Sequence, residues 1–193
     1  MYRKNKVLVI TIAALLSAIG ILIPLFAPKI VLEPASFTLA SHVPVYIAMF
    51  ISPYVAVSVA VISSIGFFLS GFPIVVVLRA FSHIVFVIIG AFILQKNGNL
   101  LSSLKNTATF GFFVSLIHAV CEVGVVTFFY WGREMPNAYY EKGYLFTVIG
   151  LVGLGTVIHS MIDYSIALAV WNSFRSIVNI PSSVKKVHIL KLK

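Results

Sequence analysis

The chain is poor in what soluble proteins are made of. Only 10% of its 193 residues are charged and only five are acidic. A soluble domain carries about a quarter charged residues, so that class is excluded, and the apolar content excludes disorder. There is one cysteine, Cys121, inside an apolar run. That rules out a disulfide framework and any multi-cysteine metal or cluster site. No Gly-x-x-x-x-Gly-Lys-[Ser/Thr] phosphate loop occurs, so the chain does not hydrolyse ATP itself. There is no His-Glu-x-x-His pair and no Gly-x-Ser-x-Gly elbow. No repeat of fixed period and no low-complexity tract interrupts the sequence.

What is present is apolar. Hydrophobic residues make up 60% of the chain, with a mean hydropathy of +1.06. A spanning helix takes about 20 apolar residues, so this length holds about six spans and no soluble catalytic domain. The net charge of +9 would point to nucleic acid in a soluble protein. Here it reads as membrane topology, because Lys and Arg gather in cytoplasmic loops and meet anionic lipid heads, and nucleic acid is not an expected partner.

The first span is residues 7–27, too long for a signal h-region and without a convincing cleavage site, so it is read as retained. An outer loop, 28–41, contains Lys29, Glu33 and Pro34. Residues 42–70 would make one helix of about 43 Å, too long for a ~30 Å hydrocarbon core. Ser52-Pro53 lies in the middle, and the residue before proline disfavours helix. Two helices are therefore predicted, a short one over 42–51 and a rising one over 53–69, with Ser41 as N-cap and Pro44 in the first turn. The later spans are 74–94, 107–131 and 144–171, and a basic tail, 175–193, follows the membrane domain of residues 1–174. With the N-terminus inside, six spans place ten Lys and Arg inside and three outside (Lys29, Arg133, Lys142). Merging the short pair leaves five inside and eight outside. The positive-inside rule selects six spans with both termini cytoplasmic, an all-α multi-pass protein of the cell membrane.

Ionisable residues inside a span cost about 2.5–3.5 kcal/mol each on insertion scales, so each is a functional hypothesis. They occur as pairs four apart: Arg79 and His83, His118 and Glu122, His159 and Asp163. Such a pair shares one helix face, which should turn toward the bundle interior. Rise per residue puts Arg79 roughly 8 Å below the outer end, His83 and Glu122 near 14 Å, His118 and His159 near 20 Å and Asp163 near 25 Å. Arg79 stands where a solute from outside would first meet the bundle. Its guanidinium stays charged and grips a carboxylate through two parallel hydrogen bonds, so an anionic small molecule is the natural guest. The plainer reading is an internal ion pair with Glu122, and a ligand could share it. For His118, His159 and Asp163 the plainer reading is helix-locking hydrogen bonds. Four histidines (His42, His83, His118, His159) with two carboxylates offer zinc or nickel ligands, but no spacing is specific for a metal and none is assigned.

Aromatic residues gather at the outer end, among them Phe37, Tyr46, Trp131, Tyr139 and Tyr140. An interfacial belt accounts for such a cluster. The alternative is a planar ring held between some of them, with the loop residues Phe37, Tyr139 and Tyr140 best placed to close over it. Small residues recur at helical spacing: Ala14 and Ala18 on the first span, Ala56, Ala60 and Ser64 on the third, and Thr107, Gly111, Ser115 and Ala119 on the fifth. These let helices approach closely, within the bundle or, for the first span, against another protein.

Six spans with both termini inside, a long first outer loop, a short second helix turning at a proline, and Ala14-x-x-x-Ala18 together resemble the substrate-binding S-components of energy-coupling factor (ECF) vitamin transporters. The stretch Ala40-Ser-His-Val-Pro-Val-Tyr-Ile-Ala-Met-Phe-Ile-Ser-Pro53, with Phe81-Ser-His-Ile84 downstream, is most similar to the niacin-type members. The resemblance implies that Ala14 and Ala18 dock on a transmembrane T-component, which sits on two cytoplasmic ATPases. ATP would then be hydrolysed by partner subunits, with no cofactor in this chain. It implies a pocket in the outer half, built by the first loop and spans four to six, where Arg79, His83 and Glu122 lie. The expected substrate-binding set is Arg79, His83, Glu122, Phe37, His42, Tyr46, Trp131 and Tyr139, and the expected guest is a small vitamin, nicotinate first. The alternatives are an S-component for pantothenate, riboflavin or pyridoxine, a metal-ion S-component or channel, and an intramembrane metal-dependent enzyme built on the histidines and carboxylates.

Overall fold

The computed structural model describes residues 2–32, 35–177, 180–185 and 187. In chain order the elements are α1 (Tyr2–Phe26), β1 (Lys29–Leu32), β2 (Ala35–Thr38), α2 (Val43–Ile51), α3 (Pro53–Leu69), α4 (Ile74–Lys96), α5 (Leu104–Trp131), the short α6 (Asn137–Glu141) and α7 (Gly155–Ile177). A π-helical stretch, Leu145–Leu154, leads into α7.

The helix at the centre is the shortest of the bundle. All nine residues of α2 are buried, Pro44 included. A helix apolar on every side suits lipid as well as a core, and the burial of all nine residues shows that α2 is enclosed by the bundle. It ends where the sequence predicts. Ser52 is extended, with φ −169°, and its hydroxyl accepts a hydrogen bond from Val55 N at 3.3 Å, starting α3 directly behind Pro53. Around α2 lies an aromatic core in which Tyr46, Phe50, Phe86, Tyr164 and Trp171 are at most 2% exposed. The small-residue stripes of α3 and α5 pack inward. A Cβ built on Gly111 would come within 2.4 Å of the Tyr164 ring, so α5 and α7 meet at a distance only glycine allows. The stripe of Ala56, Ala60 and Ser64 is likewise buried.

Four helical segments are long and apolar enough to cross a membrane: Lys6–Phe26, Ile74–Lys96, Leu104–Trp131 and Leu145–Arg175. Pro53–Leu69 is apolar but shorter. At 1.5 Å per residue it reaches about 26 Å and α2 about 14 Å, so neither matches the length of the other four. The last span is not a regular helix throughout, because its first ten residues are π-helical. Such wide turns mark functional sites more often than not.

The segment after α1, expected as a loop, pairs as a β-hairpin. Its strands pair antiparallel with Ile30 opposite Phe37. The β-branched and aliphatic run Ile30-Val31-Leu32 favours extended backbone. Phe37 is buried, and its ring tip presses on Gly155, where an added Cβ would come within 2.6 Å.

Asp163 of α7 fixes the entry to α2. It is fully buried. Its Oδ1 accepts from Ala40 N at 2.8 Å, and its Oδ2 accepts from His42 N at 2.9 Å and lies 3.0 Å from His42 Nδ1. These contacts hold Ala40 in the left-handed region, φ 65°, just before the helix. A carboxylate at a helix N-terminus meets both the free N–H groups and the dipole. Ser41, the expected N-cap, does not cap. Its hydroxyl lies 3.2 Å from His42 Nδ1 and 3.1 Å from His159 Nε2. The reason is that a charged group from another helix takes the amides first.

At the opposite end, the described part of the basic tail folds back on the bundle. Ser183 N donates to Ile51 O at 2.9 Å and Lys185 N to Gly98 O at 2.8 Å, with Val184 buried.

Asp163→Leu should strand the buried backbone N–H of His42, at about 1–3 kcal/mol, and release the part-buried N–H of Ala40. The expected outcome is a lower thermal midpoint in detergent and faster tryptic cleavage at Lys29, both read against the unmodified protein. Unchanged values for both would show that Asp163 does not hold the hairpin end.

Candidate functional site

A cavity of about 630 Å³ lies at the hairpin end, among α1, α3, α4, α5, α7 and the 132–143 segment. Small-molecule sites run from roughly 300 to 1,000 Å³. Phe37, His42, Arg79, His83, Glu122 and Tyr139 all line it. Six of the eight side chains singled out from the sequence therefore face one space.

The centre of its charge is Glu122, 3% exposed. Arg79 Nη2 donates to Glu122 Oε2 at 2.8 Å, and Thr156 Oγ1 donates to the same oxygen at 2.7 Å. The other oxygen, Oε1, stands 3.4 Å from His118 Nε2 and 3.6 Å from His83 Nε2. A buried carboxylate without partners would cost several kcal/mol, and a charge-assisted pair with a guanidinium offsets this. Arg79 is not used up by it. Glu122 takes Nη2 of the guanidinium and leaves Nε unpaired among the described residues.

His42 sits among three other imidazoles. Its ring centroid is 4.9 Å from that of His83, 4.6 Å from His118 and 5.0 Å from His159. The layered depths predicted from helix rise collapse into one cluster here. The rings of His42, His83, His118 and His159 meet although they come from four places, the entry to α2 and the helices α4, α5 and α7. The pairs four apart do form contacts. His118 faces Glu122, and His159 Nε2 lies 3.3 Å from Asp163 Oδ2. Arg79 and His83 converge on Glu122 rather than on each other.

Two expected site residues lie elsewhere. Tyr46 is fully buried one turn below His42, its hydroxyl bonded to Ser160 and its ring against Phe86 and Tyr164. It is part of the floor, not the wall. Trp131 is 70% exposed and packs against Tyr130 and Tyr144. Nine residues after Glu122 is about two and a half turns, which puts it on the opposite face of α5. It belongs to the interfacial belt. Tyr139 does line the cavity, and burial pushes its hydroxyl above the usual tyrosine value. Ala14 and Ala18 are exposed on the outer face of α1, between Ile10 and Leu22.

The sequence reading passed over Thr156, Ser41, Ser63 and Ser64, all on the cavity wall. Thr156 is the most consequential. With Ser160 and Asp163 it forms a polar stripe at i, i+4, i+7, a pattern visible in the sequence once a single hydroxyl is given weight.

The chain is 40% identical over 172 residues, 88% of its own length and 76% of the relative's, to the niacin transporter NiaX of Lactococcus lactis subsp. cremoris (strain MG1363). No protein-family model and no solved structure matches it. With that much shared sequence over 88% of its length, the chain belongs to the family of this niacin transporter and is a transport protein rather than an enzyme.

Proposed function

We propose that the cavity binds nicotinate, and that the chain carries it into the cell as the S-component of an energy-coupling factor importer. One observation carries the substrate assignment: Arg79 lines a cavity of vitamin size, and its Nη2 is paired with Glu122 while its buried Nε has no hydrogen-bond partner among the described residues. A ring carboxylate there makes charge-assisted hydrogen bonds worth roughly twice neutral ones. Phe37, on the hairpin, and Tyr139 supply flat apolar surface for the ring, and the hairpin is the element placed to open and close over it. The relative's transport of niacin supports the same guest.

The remaining features fit the same division of labour. Counting α2 and α3 as separate crossings gives six spans, and the distribution of Lys and Arg then sets both termini in the cytoplasm of a multi-pass cell-membrane protein. The cavity opens outward in that orientation, and the basic tail lies at the cytoplasmic end. Energy comes from a transmembrane T-component carrying two cytoplasmic ATPases. The exposed Ala14 and Ala18 on α1 give that partner a flat surface for close helix contact.

Replacing Arg79 by Gln should abolish nicotinate binding in a calorimetric titration of the purified protein. Because that change also strips Glu122 of its partner, nicotinamide provides the second arm. Lacking the carboxylate, it should bind the unmodified protein about 1.5–3 kcal/mol more weakly, roughly 10- to 150-fold in Kd. Equal affinity for acid and amide would refute the Arg79 assignment. Tryptophan at Ala14 or Ala18 should leave nicotinate affinity intact and stop uptake in cells that carry the whole transporter. Normal uptake by both variants would remove α1 from the docking surface.

A further inference from the structure

Below the guanidinium, four side chains from three elements converge: His42 at the entry to α2, His83 on α4, and His118 and Glu122 on α5. Each offers one ligand-type atom, and the four atoms lie within 4.8 Å of one another. All four residues are at most 9% exposed. Nε2 of His83 and Nε2 of His118 have no hydrogen-bond partner among the described residues, although both face Glu122 Oε1, at 3.6 and 3.4 Å. Buried and unpaired, such groups are costly, and two of them aimed at one carboxylate oxygen need an explanation.

A cation between them provides it. In a tetrahedral site with metal–ligand bonds of about 2.0–2.2 Å, neighbouring ligand atoms stand roughly 3.3–3.6 Å apart. Both measured separations agree with that spacing. The outer nitrogens are tied down as metal-bound imidazoles require. His118 Nδ1 lies 3.1 Å from Ser160 Oγ, and His42 Nδ1 lies 3.0 Å from Asp163 Oδ2. Each leaves Nε2 for the centre of the cluster. The carboxylate–histidine contact of Asp163 and His42 is the orienting arrangement that metal sites use. Arg79 occupies the other oxygen of Glu122, so the carboxylate has one oxygen free for an ion.

We infer that His42, His83 and His118, with Glu122 as fourth ligand, form a binding site for a divalent transition ion of the zinc, cobalt or nickel class. Three imidazoles and one carboxylate suit these ions, whereas calcium and magnesium take oxygen ligands. Sequence spacing gave no sign of it, because the ligands come from three elements and only His118 and Glu122 share a helix.

The test uses the full chain in detergent, with any affinity tag removed, stripped with chelator and then titrated with Co2+ alone. Visible ligand-field bands report tetrahedral cobalt, and mass spectrometry counts Zn2+ retained after desalting. The expected result is one ion per chain, with cobalt affinity falling more than about tenfold in His83→Gln and in His118→Gln. A thermal melt confirms that each variant is folded. Failure of the unmodified protein to retain zinc or develop the bands overturns the site, as does full binding by both folded variants. Nicotinate titration of the chelator-treated protein separates this site from the vitamin reading. Nicotinate bound without metal uptake defeats the metal site alone, and metal uptake without nicotinate binding supports the site and defeats the vitamin reading.

Discussion

A carboxylate cannot stay charged inside a membrane protein unless its neighbours are built around it, and Glu122 is where this molecule meets that requirement. Arg79 and Thr156 take one of its oxygens, and His118 and His83 stand against the other. These partners come from α4, α5 and α7, so satisfying one side chain fixes three helices at the same depth. The arrangement also sets the character of the cavity. The guanidinium that neutralises Glu122 remains partly free, which makes the space receptive to a second carboxylate, from the guest.

Asp163 repeats the same physics one turn away. It holds the amides at the start of α2 and orients His42, so the enclosed helix α2 is anchored by α7. The hairpin enters through the same contact, because Ala40 and His42 directly follow β2. The loop that covers the cavity and the helix that floors it are thus tied to a single buried charge. Substrate held under the hairpin would be sensed by α2 and α7 together, which is the coupling a reorienting carrier needs.

Much of this was legible in the residues. The start of α4 at Ile74 and the end of α5 at Trp131 follow from prolines, glycines and hydropathy, and the break at Ser52-Pro53 follows from the length of the membrane core. The ionisable pairs four apart pointed to the interior, and Arg79, His83 and Glu122 do meet. What could not be read was register between helices. The contact between Asp163 and His42 joins residues 121 apart in sequence, and no local pattern encodes it. The approach of His159 to His42, ring centroids 5.0 Å apart, likewise joins residues far apart in sequence. The exposure of Trp131 is encoded locally, because nine residues from Glu122 put it on the far face of α5.

The proposed function stands on the Arg79 guanidinium being shared between the buried Glu122 and a guest carboxylate. An experimental structure of the protein with nicotinate bound tests this most directly. The account predicts the ring beneath the hairpin, between Phe37 and Tyr139, with its carboxylate within hydrogen-bond distance of the Arg79 guanidinium. A carboxylate turned away from Arg79, or a ring bound outside this cavity, would contradict it.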